Sequence, residues 1–190
     1  MENKKYQIIY ADPPWQFKNY SDNWHKNRKG SKWVGNQYGC MSKKEIQDLP
    51  INDISDDNCI LFLWVTMPSL EEGLELIKKW GFKYKTVGFS WIKKNKKSDS
   101  LFWGMGFWTR ANTELCLLAT KGKPKRISAG VHSVIESKIR EHSRKPDEAR
   151  DKIIQLVGDL PRIELFAREK TKGWDVWGDE VESDIELKVV

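Results

Sequence analysis

The stretch "YQIIYADPPW", residues 6–15, predicts where the first strand of the sheet ends and how the chain turns after it. Its first half is apolar and rich in β-branched and aromatic residues, which is typical of a strand. Two prolines after Asp12 then end the strand, because proline has no N–H and a fixed φ. The residue before a proline is also held in an extended conformation. We therefore expect a strand that ends at Asp12, with a rigid corner directly after it.

Strand-like and helix-like stretches alternate along the rest of the chain. Further strands are predicted at residues 59–65, 84–93, 113–120 and 162–168, and helices at residues 42–49, 69–81 and 145–158. Ser42 with Glu45, and Ser69 with Glu72, have the spacing of capping boxes. This alternation predicts a single α/β domain, residues 1–190, with a mostly parallel sheet. Ligands bind beyond the carboxyl ends of such strands, where Asp12 is expected.

Three long connections, residues 16–39, 93–110 and 121–144, are predicted to be basic loops. They contain the runs "HKNRKG", "KKNKK" and "KGKPKR", and the whole chain carries a net charge of +6. Loops of this length usually have a function or are disordered. Solvated surface lysines are the ordinary interpretation, but three basic runs beside the predicted pocket favour contacts with a phosphate backbone.

The composition excludes several classes of protein. Hydrophobic residues make up 39% of the chain and charged residues 32%, as in a soluble globular domain. No apolar run approaches the length of a membrane helix, and the first residues lack a signal-peptide pattern, which predicts a cytoplasmic protein. No metal site is expected, since the cysteines (Cys40, Cys59, Cys116) and histidines (His25, His132, His142) show no ligand spacing. Two of the cysteines, Cys59 and Cys116, are predicted to be buried thiols in a reducing cytosol.

The Asp-Pro-Pro-Trp corner has the chemistry of a pocket for an amino group. A rigid corner presents the Asp12 carboxylate and the Pro13 carbonyl as acceptors, and Trp15 adds a flat face for an aromatic ring. The exocyclic amine of a nucleobase has two protons to donate and is a poor nucleophile. Two acceptors can aim its lone pair at an electrophile, for which a methyl sulfonium is suitable. An ordinary loop corner with an aspartate turn remains the alternative.

An ordered series of motifs accompanies this corner. The series is "ADPPW", "YGCMSKKEI", "LFLWVT", "WGFKY", "WIK", "ELCLLATKGKP", "SRKPDE", "IELFAR" and "GWDVWGDE". From residue 6 to about residue 180 the chain thereby resembles the MT-A70 family of DPPW-type N6-adenine methyltransferases, whose best-known members methylate adenosine in messenger RNA. The resemblance implies a Rossmann-like fold with S-adenosylmethionine as methyl donor. It also implies a permuted order, in which the catalytic motif precedes the cofactor-binding segment.

The resemblance assigns roles to individual residues. Asp12 would bind both the target N6 amine and the amino group of the cofactor's methionine part, and Lys145 would contact that part and the substrate. The catalytic corner is completed by Pro13, Pro14 and Trp15, of which Trp15 lines the base pocket. The other implied cofactor-binding residues are Glu164, Leu165, Phe166, Arg168, Asp179 and Glu180. The substrate side comprises Trp15, Tyr38, Glu114 and Lys145, together with the loop lysines Lys93, Lys94, Lys96 and Lys97.

Several of these residues have an ordinary interpretation as well. In the ordinary interpretation, Lys145 is a solvated surface lysine. Glu164 and Arg168 would then form an exposed ion pair that contributes little to stability. The family commonly has Asn at the position of Asp179, and an aspartate can accept from an adenine amine but cannot donate. RNA-type members carry a cofactor-contacting segment before the DPPW motif, whereas only eleven residues precede Asp12.

The expected substrate is nucleic acid, and DNA is favoured over RNA because the compact form resembles bacterial and phage-type members. The target base must be flipped or already unpaired, since its amine is unreachable inside a duplex. A second copy of the chain is a further candidate partner. Two other functions stay open: a non-catalytic subunit that only binds nucleic acid, and a methyltransferase for protein side-chain amides, which use a similar Pro-Pro corner.

Overall fold

The computed structural model describes residues 4–15, 41–106, 108–141 and 144–187. Within these residues the strands are β1 (Tyr6–Ala11), β2 (Ser55–Val65), β3 (Lys83–Lys94), β4 (Thr113–Lys121), β5 (Val134–Lys138), β6 (Arg162–Leu165) and β7 (Asp175–Trp177). They form one sheet in the order β5-β3-β4-β2-β1-β6-β7. Six of these strands run in one direction, and β4 alone is antiparallel to its neighbours β2 and β3. The predicted α/β fold with a mostly parallel sheet is confirmed.

Helices cover both faces of this sheet in the described part of the chain. They are α1 (Lys43–Gln47), α2 (Ile51–Ile54), α3 (Leu70–Lys79) and α4 (Glu148–Val157). The capping box at the start of α1 forms as predicted. The Ser42 hydroxyl accepts from the backbone N–H of Glu45 at 3.2 Å, and the Glu45 carboxylate accepts from the backbone N–H of Ser42 at 2.6 Å.

The second predicted capping box, Ser69 with Glu72, is wrong. The chain enters α3 through a 3₁₀ turn, Met67–Ser69, and the Ser69 side chain makes no capping hydrogen bond. Ser69 has φ −99° and ψ 12°, whereas a capping serine normally has an extended backbone. Its hydroxyl accepts from the Thr66 hydroxyl at 3.2 Å instead. The spacing therefore predicted the helix correctly but not its cap.

Two short strands lie where the sequence predicted none. β5 falls inside the predicted loop 121–144, and β7 lies at the other edge of the sheet. Each pairs with one neighbour only, and Ile135 is the one buried residue of β5. β3 continues to Lys94, one residue beyond the predicted strand 84–93, so Lys94 is a strand residue and not a loop residue.

The central strands have apolar side chains on both faces. Ile9, Leu61 and Leu63 lie in the core that α1, α2 and α3 cover, while Ile8 and Phe62 lie in the core that α4 covers. A strand buried on both faces is a continuous apolar run, which explains the pattern "CILFLWV".

Cys59 and Cys116 are buried free thiols in this core, as predicted, whereas Cys40 lies outside the described residues. None of the described helices is both long enough and apolar enough to cross a membrane.

Strand direction brings the predicted site residues to one edge of the sheet. Asp12 follows β1 and Phe166 follows β6, so both lie beyond carboxyl ends of parallel strands. β4 runs the opposite way, and its second residue, Glu114, is therefore at the same edge as Lys93 near the end of β3. We call this side of the sheet, formed by the carboxyl ends of the parallel strands and not by an outer strand, the functional edge.

Candidate active site

Four charged side chains form a continuous row at the functional edge. Lys145 Nζ lies 2.7 Å from Asp12 Oδ2 and 3.2 Å from Glu114 Oε2, and Lys93 Nζ donates a hydrogen bond to Glu114 Oε1. Positive and negative charges thus alternate along this charge row, Lys93, Glu114, Lys145 and Asp12. The side chains of Glu114 and Lys145 are only 5% and 9% exposed, and that of Asp12 is 24% exposed. The row is held together because each buried charge has an opposite neighbour.

Burial and neighbouring charges shift the pKa values of three members of the row. Burial raises the pKa of Asp12; Lys145 opposes this without cancelling it, and Glu114 adds to it. Burial acts against the Lys145 cation, but Asp12 and Glu114 outweigh it and raise the pKa of Lys145. Burial also acts against the Glu114 anion, but Lys145 and Lys93 outweigh it and lower its pKa. The row therefore favours the ionised forms of Lys145 and Glu114, whereas burial favours the neutral form of Asp12 relative to an exposed aspartate.

Lys145 is not the solvated lysine that the alternative predicted. It precedes α4 and is buried, with its Nζ 5.8 Å from the ring centre of Trp64 as well as between two carboxylates. Trp64 in turn donates its Nε1–H to the Tyr10 hydroxyl at 2.7 Å. The ammonium group thus rests on an aromatic floor that is itself fixed by a hydrogen bond.

The Asp-Pro-Pro-Trp corner is a tight turn with a fixed tryptophan. The Pro13 carbonyl accepts from the backbone N–H of Trp15 at 2.8 Å, and Trp15 Nε1 donates to the Trp64 carbonyl at 2.9 Å. A carbonyl oxygen has two lone pairs, so this turn engages one acceptor position of Pro13. The indole of Trp15 is partly buried and its orientation is set by the main chain of β2.

The charge row separates two cavities. The smaller cavity, about 460 Å³, is lined by Asp12 and Lys145 and by residues after β6 and β7. The larger cavity, about 1530 Å³, is lined by Trp15, Lys93 and Glu114 and by Phe102, residues 104–106 and residues 108–113 between β3 and β4. Asp12 and Glu114 belong to different cavities, and Lys145 contacts both carboxylates. A group in either cavity can therefore approach the same row.

The smaller cavity contains the one described residue other than glycine with a positive φ. Phe166, directly after β6, has φ 60°, and its ring packs edge-on against Trp177 at 5.4 Å between centres. A bulky side chain in this conformation is uncommon and is found most often at functional sites. The turn ends β6 and places the aromatic ring in the cavity lining.

Glu164 is part of a buried ion pair and not of an exposed one. Arg150 in α4 donates from Nε and Nη2 to the two oxygens of Glu164, both at 2.8 Å, and from Nη1 to Asp147 at 3.0 Å. The sequence interpretation did not find Arg150. Its position offered a signal, because Arg150, Ile153 and Val157 share the spacing of one helix face and two of them are apolar core residues.

Two more arginines at the rim of the smaller cavity were also missed. Arg140 pairs with Asp147 at 2.5 Å, and Arg144 pairs with Asp147 at 3.3 Å and with Glu169. Both arginines line the cavity. They lie within the stretch predicted as a loop, so no periodic pattern marked them.

The remaining predicted cofactor residues differ in how close they lie to the smaller cavity. Leu165 is buried as the last residue of β6, and Arg168 and Glu180 line the cavity with 3.6 Å between Arg168 Nε and Glu180 Oε1. Asp179 is exposed and, among the described residues, is not in the lining of this cavity. Its assignment to the cofactor stays a prediction.

The predicted substrate residues do not form one group. Lys93 belongs to the charge row, Lys94 pairs with Glu136 at 2.8 Å, and Lys96 pairs with Glu141 at 2.9 Å and lines the smaller cavity. Lys97 is exposed in the turn after β3. Tyr38 lies outside the described residues. The interpretation of the four lysines as one basic loop patch is therefore corrected, because they face different surroundings.

Comparison with known proteins identifies the family. The MT-A70 family model matches residues 6–180. The chain belongs to the MT-A70 family. Membership in MT-A70 confirms the predicted methyltransferase fold and S-adenosylmethionine as the methyl donor.

Two relatives illustrate the range of MT-A70 proteins similar to this chain. Type II methyltransferase M.MunI from Mycoplasma sp is 35% identical over 193 residues, covering 95% of this chain and 80% of that protein. The N(6)-adenosine-methyltransferase catalytic subunit METTL3 from Homo sapiens is 32% identical over 166 residues. That match covers 86% of this chain but 26% of METTL3. The chain thus spans most of the bacterial relative and about a quarter of the human one.

The smaller cavity fits the MT-A70 cofactor. Its volume lies within the usual range of about 300–1,000 Å³ for small-molecule sites. The lining offers carboxylates for the cofactor's amino group, Lys145 and arginines for its carboxylate, and the Phe166 ring for its adenine. Among the described residues no cluster of histidine, cysteine or acidic side chains has the geometry of a metal site.

Replacing Trp15 with alanine is expected to weaken substrate binding roughly tenfold, because a base stacked on an aromatic ring contributes about 1–3 kcal/mol. Cofactor affinity should hold within about twofold, since Trp15 lines the larger cavity and not the smaller one. Titration of each ligand separately measures the two effects. Trp15→Phe is the matched control, since it keeps a smaller aromatic face and loses the hydrogen bond to Trp64. A fall in cofactor affinity with unchanged substrate affinity would show that Trp15 contacts the cofactor and not the substrate base.

Proposed function

We propose that this chain transfers a methyl group from S-adenosylmethionine to the N6 amino group of adenine in DNA. The observation that carries the proposal is the charge row, which puts Asp12 and Lys145 between a cavity that fits the cofactor and a larger cavity walled by Trp15. MT-A70 membership supplies the class of reaction, and the M.MunI and METTL3 relatives are both named as methyltransferases.

The corner at the end of β1 activates the amine by aligning it. Asp12 Oδ1 and the Pro13 carbonyl accept hydrogen bonds from the two N6 protons, which directs the nitrogen lone pair towards the smaller cavity. Bound S-adenosylmethionine supplies an electrophilic methyl group there. Alignment of the two groups contributes most of the rate, so a strong base is not required.

The charge row keeps this acceptor in place. Lys145 holds Asp12 Oδ2 at 2.7 Å and is itself fixed by Glu114, so the carboxylate has one orientation before substrate arrives. Burial, the largest influence on Asp12, raises its pKa. Asp12 is therefore a better acceptor than an exposed aspartate for the proton that the amine releases.

DNA is proposed over RNA because the match covers 80% of M.MunI and only 26% of METTL3. Most of METTL3, the relative named as an adenosine methyltransferase, thus lies outside the region that matches this chain. The volume of the larger cavity, about 1530 Å³, is enough for an extrahelical base with its sugar.

Labelled methyl transfer to matched polynucleotides tests the proposal. Duplex DNA, single-stranded DNA and RNA of the same mixed sequence are incubated with the protein and methyl-labelled S-adenosylmethionine. Incorporation into DNA should exceed incorporation into RNA at least severalfold. Preference for RNA would overturn the DNA assignment alone. Cofactor binding without transfer would favour the non-catalytic subunit, and label in added protein would favour the amide methyltransferase.

Alanine at Lys94 and Lys97 should reduce the salt dependence of DNA binding without changing cofactor affinity. Each lysine that neutralises a duplex phosphate contributes about 0.9 units to the log–log salt slope. Both lysines are at the functional edge, and neither belongs to the charge row or lines the smaller cavity. The loss of affinity should be alike for all sequences, because phosphate contacts carry no sequence information.

The matched control changes Lys78 and Lys79, which are exposed at the end of α3 and therefore near the opposite edge of the sheet. DNA affinity across a salt series is compared for wild type and both double variants. Equal slopes in all three proteins would show that Lys94 and Lys97 are only solvated.

A further inference from the structure

The connection between β3 and β4 exposes large apolar side chains to an unusual degree. Trp103 is 72% exposed, Met105 91% and Trp108 100%, although large apolar residues of this kind are normally buried. We call these three residues the apolar tip. A cluster of largely exposed aromatic and thioether side chains indicates a contact surface.

The backbone that carries the tip is folded back on itself. Phe102 N–H donates to the Lys93 carbonyl at 2.8 Å, which extends the end of β3 into the connection. Further on, a Cβ at Gly104 would lie 2.0 Å from the Ala111 carbonyl oxygen, and a Cβ at Gly106 would lie 2.1 Å from that of Thr109. The two arms approach so closely that only glycine fits at both positions.

Asn95 braces the base of this connection. Its backbone N–H donates to the Ser100 carbonyl at 2.9 Å, and its side-chain amide donates to the Ser100 hydroxyl at 2.8 Å and the Leu101 carbonyl at 3.0 Å. The tip is thus presented by an ordered support.

The tip adjoins the larger cavity. Met105 and Trp108 line that cavity together with Trp15 and Glu114, so the tip is continuous with the proposed adenine site. Arg110, also in the lining, holds its guanidinium 4.8 Å from the centre of the Trp103 ring. Between residues 91 and 112 the chain has five basic residues and one acidic residue. An apolar, aromatic surface with basic neighbours suits stacked bases flanked by phosphates.

We propose that the apolar tip enters the base stack beside the target adenine and fills the gap that the flipped base leaves in duplex DNA. This inference rests on the proposed function, because it needs an adenine in the larger cavity. Flipping loses stacking and pairing, and proteins that open or kink a duplex commonly insert apolar side chains between base steps. A second copy of the chain is a poorer occupant, since each copy carries a net charge of +6 and would bring like charges together.

The test compares duplex and single-stranded DNA of the same sequence. Alanine at Met105 and Trp108 should lower the methylation rate on duplex DNA roughly tenfold relative to the rate on the single strand, which has little stacking to replace. The thermal midpoint should hardly change, because both side chains are exposed. Ile127→Ala is the control, since Ile127 is also 72% exposed but, among the described residues, is not in the lining of either cavity.

A duplex with an unpaired adenine bulge supplies a second measurement. A base that is already unpaired is less costly to flip, so the defect of the double variant should shrink on bulged DNA. An unchanged ratio of duplex to single-strand rates in the variant would overturn the inference. If that ratio is unchanged and the variant is a monomer where the wild type is a dimer, the tip binds a second copy of the chain instead. If wild type methylates no DNA of either kind, the proposed function fails and not the role of the tip alone.

Discussion

Asp12→Ala is expected to abolish methyl transfer while the chain keeps its fold. The substitution removes an acceptor that aligns the amine, and loss of one such electrostatic group lowers turnover by about 10²–10³ or more. Stability should change little, because Lys145 keeps Glu114 as a partner. Burial also disfavours the charged form of the carboxylate that the substitution removes. Single-turnover transfer of labelled methyl and thermal unfolding measure the two effects.

Asp12→Asn is the matched control for this variant. It keeps the size and shape of the side chain, so it separates the loss of the carboxylate from the loss of side-chain volume. We expect it to be nearly as inactive as the alanine variant, since the asparagine amide would present a donor where the amine must donate. Near-normal turnover in Asp12→Ala would contradict the mechanism.

Lys145→Met should remove most activity and lower the free energy of unfolding by about 3 kcal/mol at neutral pH. Removing one member of a buried ion pair leaves the other uncompensated, and Lys145 neutralises both Asp12 and Glu114. Lysine lowers the pKa of both carboxyls, so both pKa values should rise in the variant. The acid limb of the pH–rate profile should therefore move to higher pH in whatever activity remains.

The same shifts give the pH dependence of stability. Carboxyls whose folded-state pKa is raised destabilise the fold when pH rises through that pKa, because the unfolded chain ionises more readily. The ordinary values are 3.8 for Asp12 and 4.5 for Glu114. The stability gap between wild type and Lys145→Met should therefore narrow as pH falls towards these values. Lys145→Arg, which keeps the charge, is the control, and a gap independent of pH would contradict the account.

The sequence predicted the centre of the sheet better than its edges, for a physical reason. β1 and β2 are buried on both faces, so their apolar runs are continuous and easily recognised. β5 and β7 lie at the two edges and have few buried residues, so their sequences look like loops. Their pairing is determined by the neighbouring strand and not by their own composition.

In the site too, local sequence predicted individual residues but not the contacts between residues far apart in the chain. The Asp12 corner follows from proline chemistry, and the motif series indicated Lys145 and Glu114 through a family resemblance. The row that joins these residues depends on contacts across 133 positions of the chain, from Asp12 to Lys145. Arg150 was missed because an arginine in a helix is ordinarily solvated, whereas this one is paired with Glu164 inside the protein.

Analysis of the methylated nucleoside tests the central claim most directly. DNA is incubated with methyl-labelled S-adenosylmethionine and either wild type or Asp12→Asn, digested to nucleosides and separated. With wild type the label should appear in N6-methyl-2′-deoxyadenosine, and with Asp12→Asn that product should fall at least about a hundredfold. Label in a methylated cytosine, or equal N6-methyl-2′-deoxyadenosine from both proteins, would contradict the assignment of Asp12 as the acceptor for an adenine N6 amine.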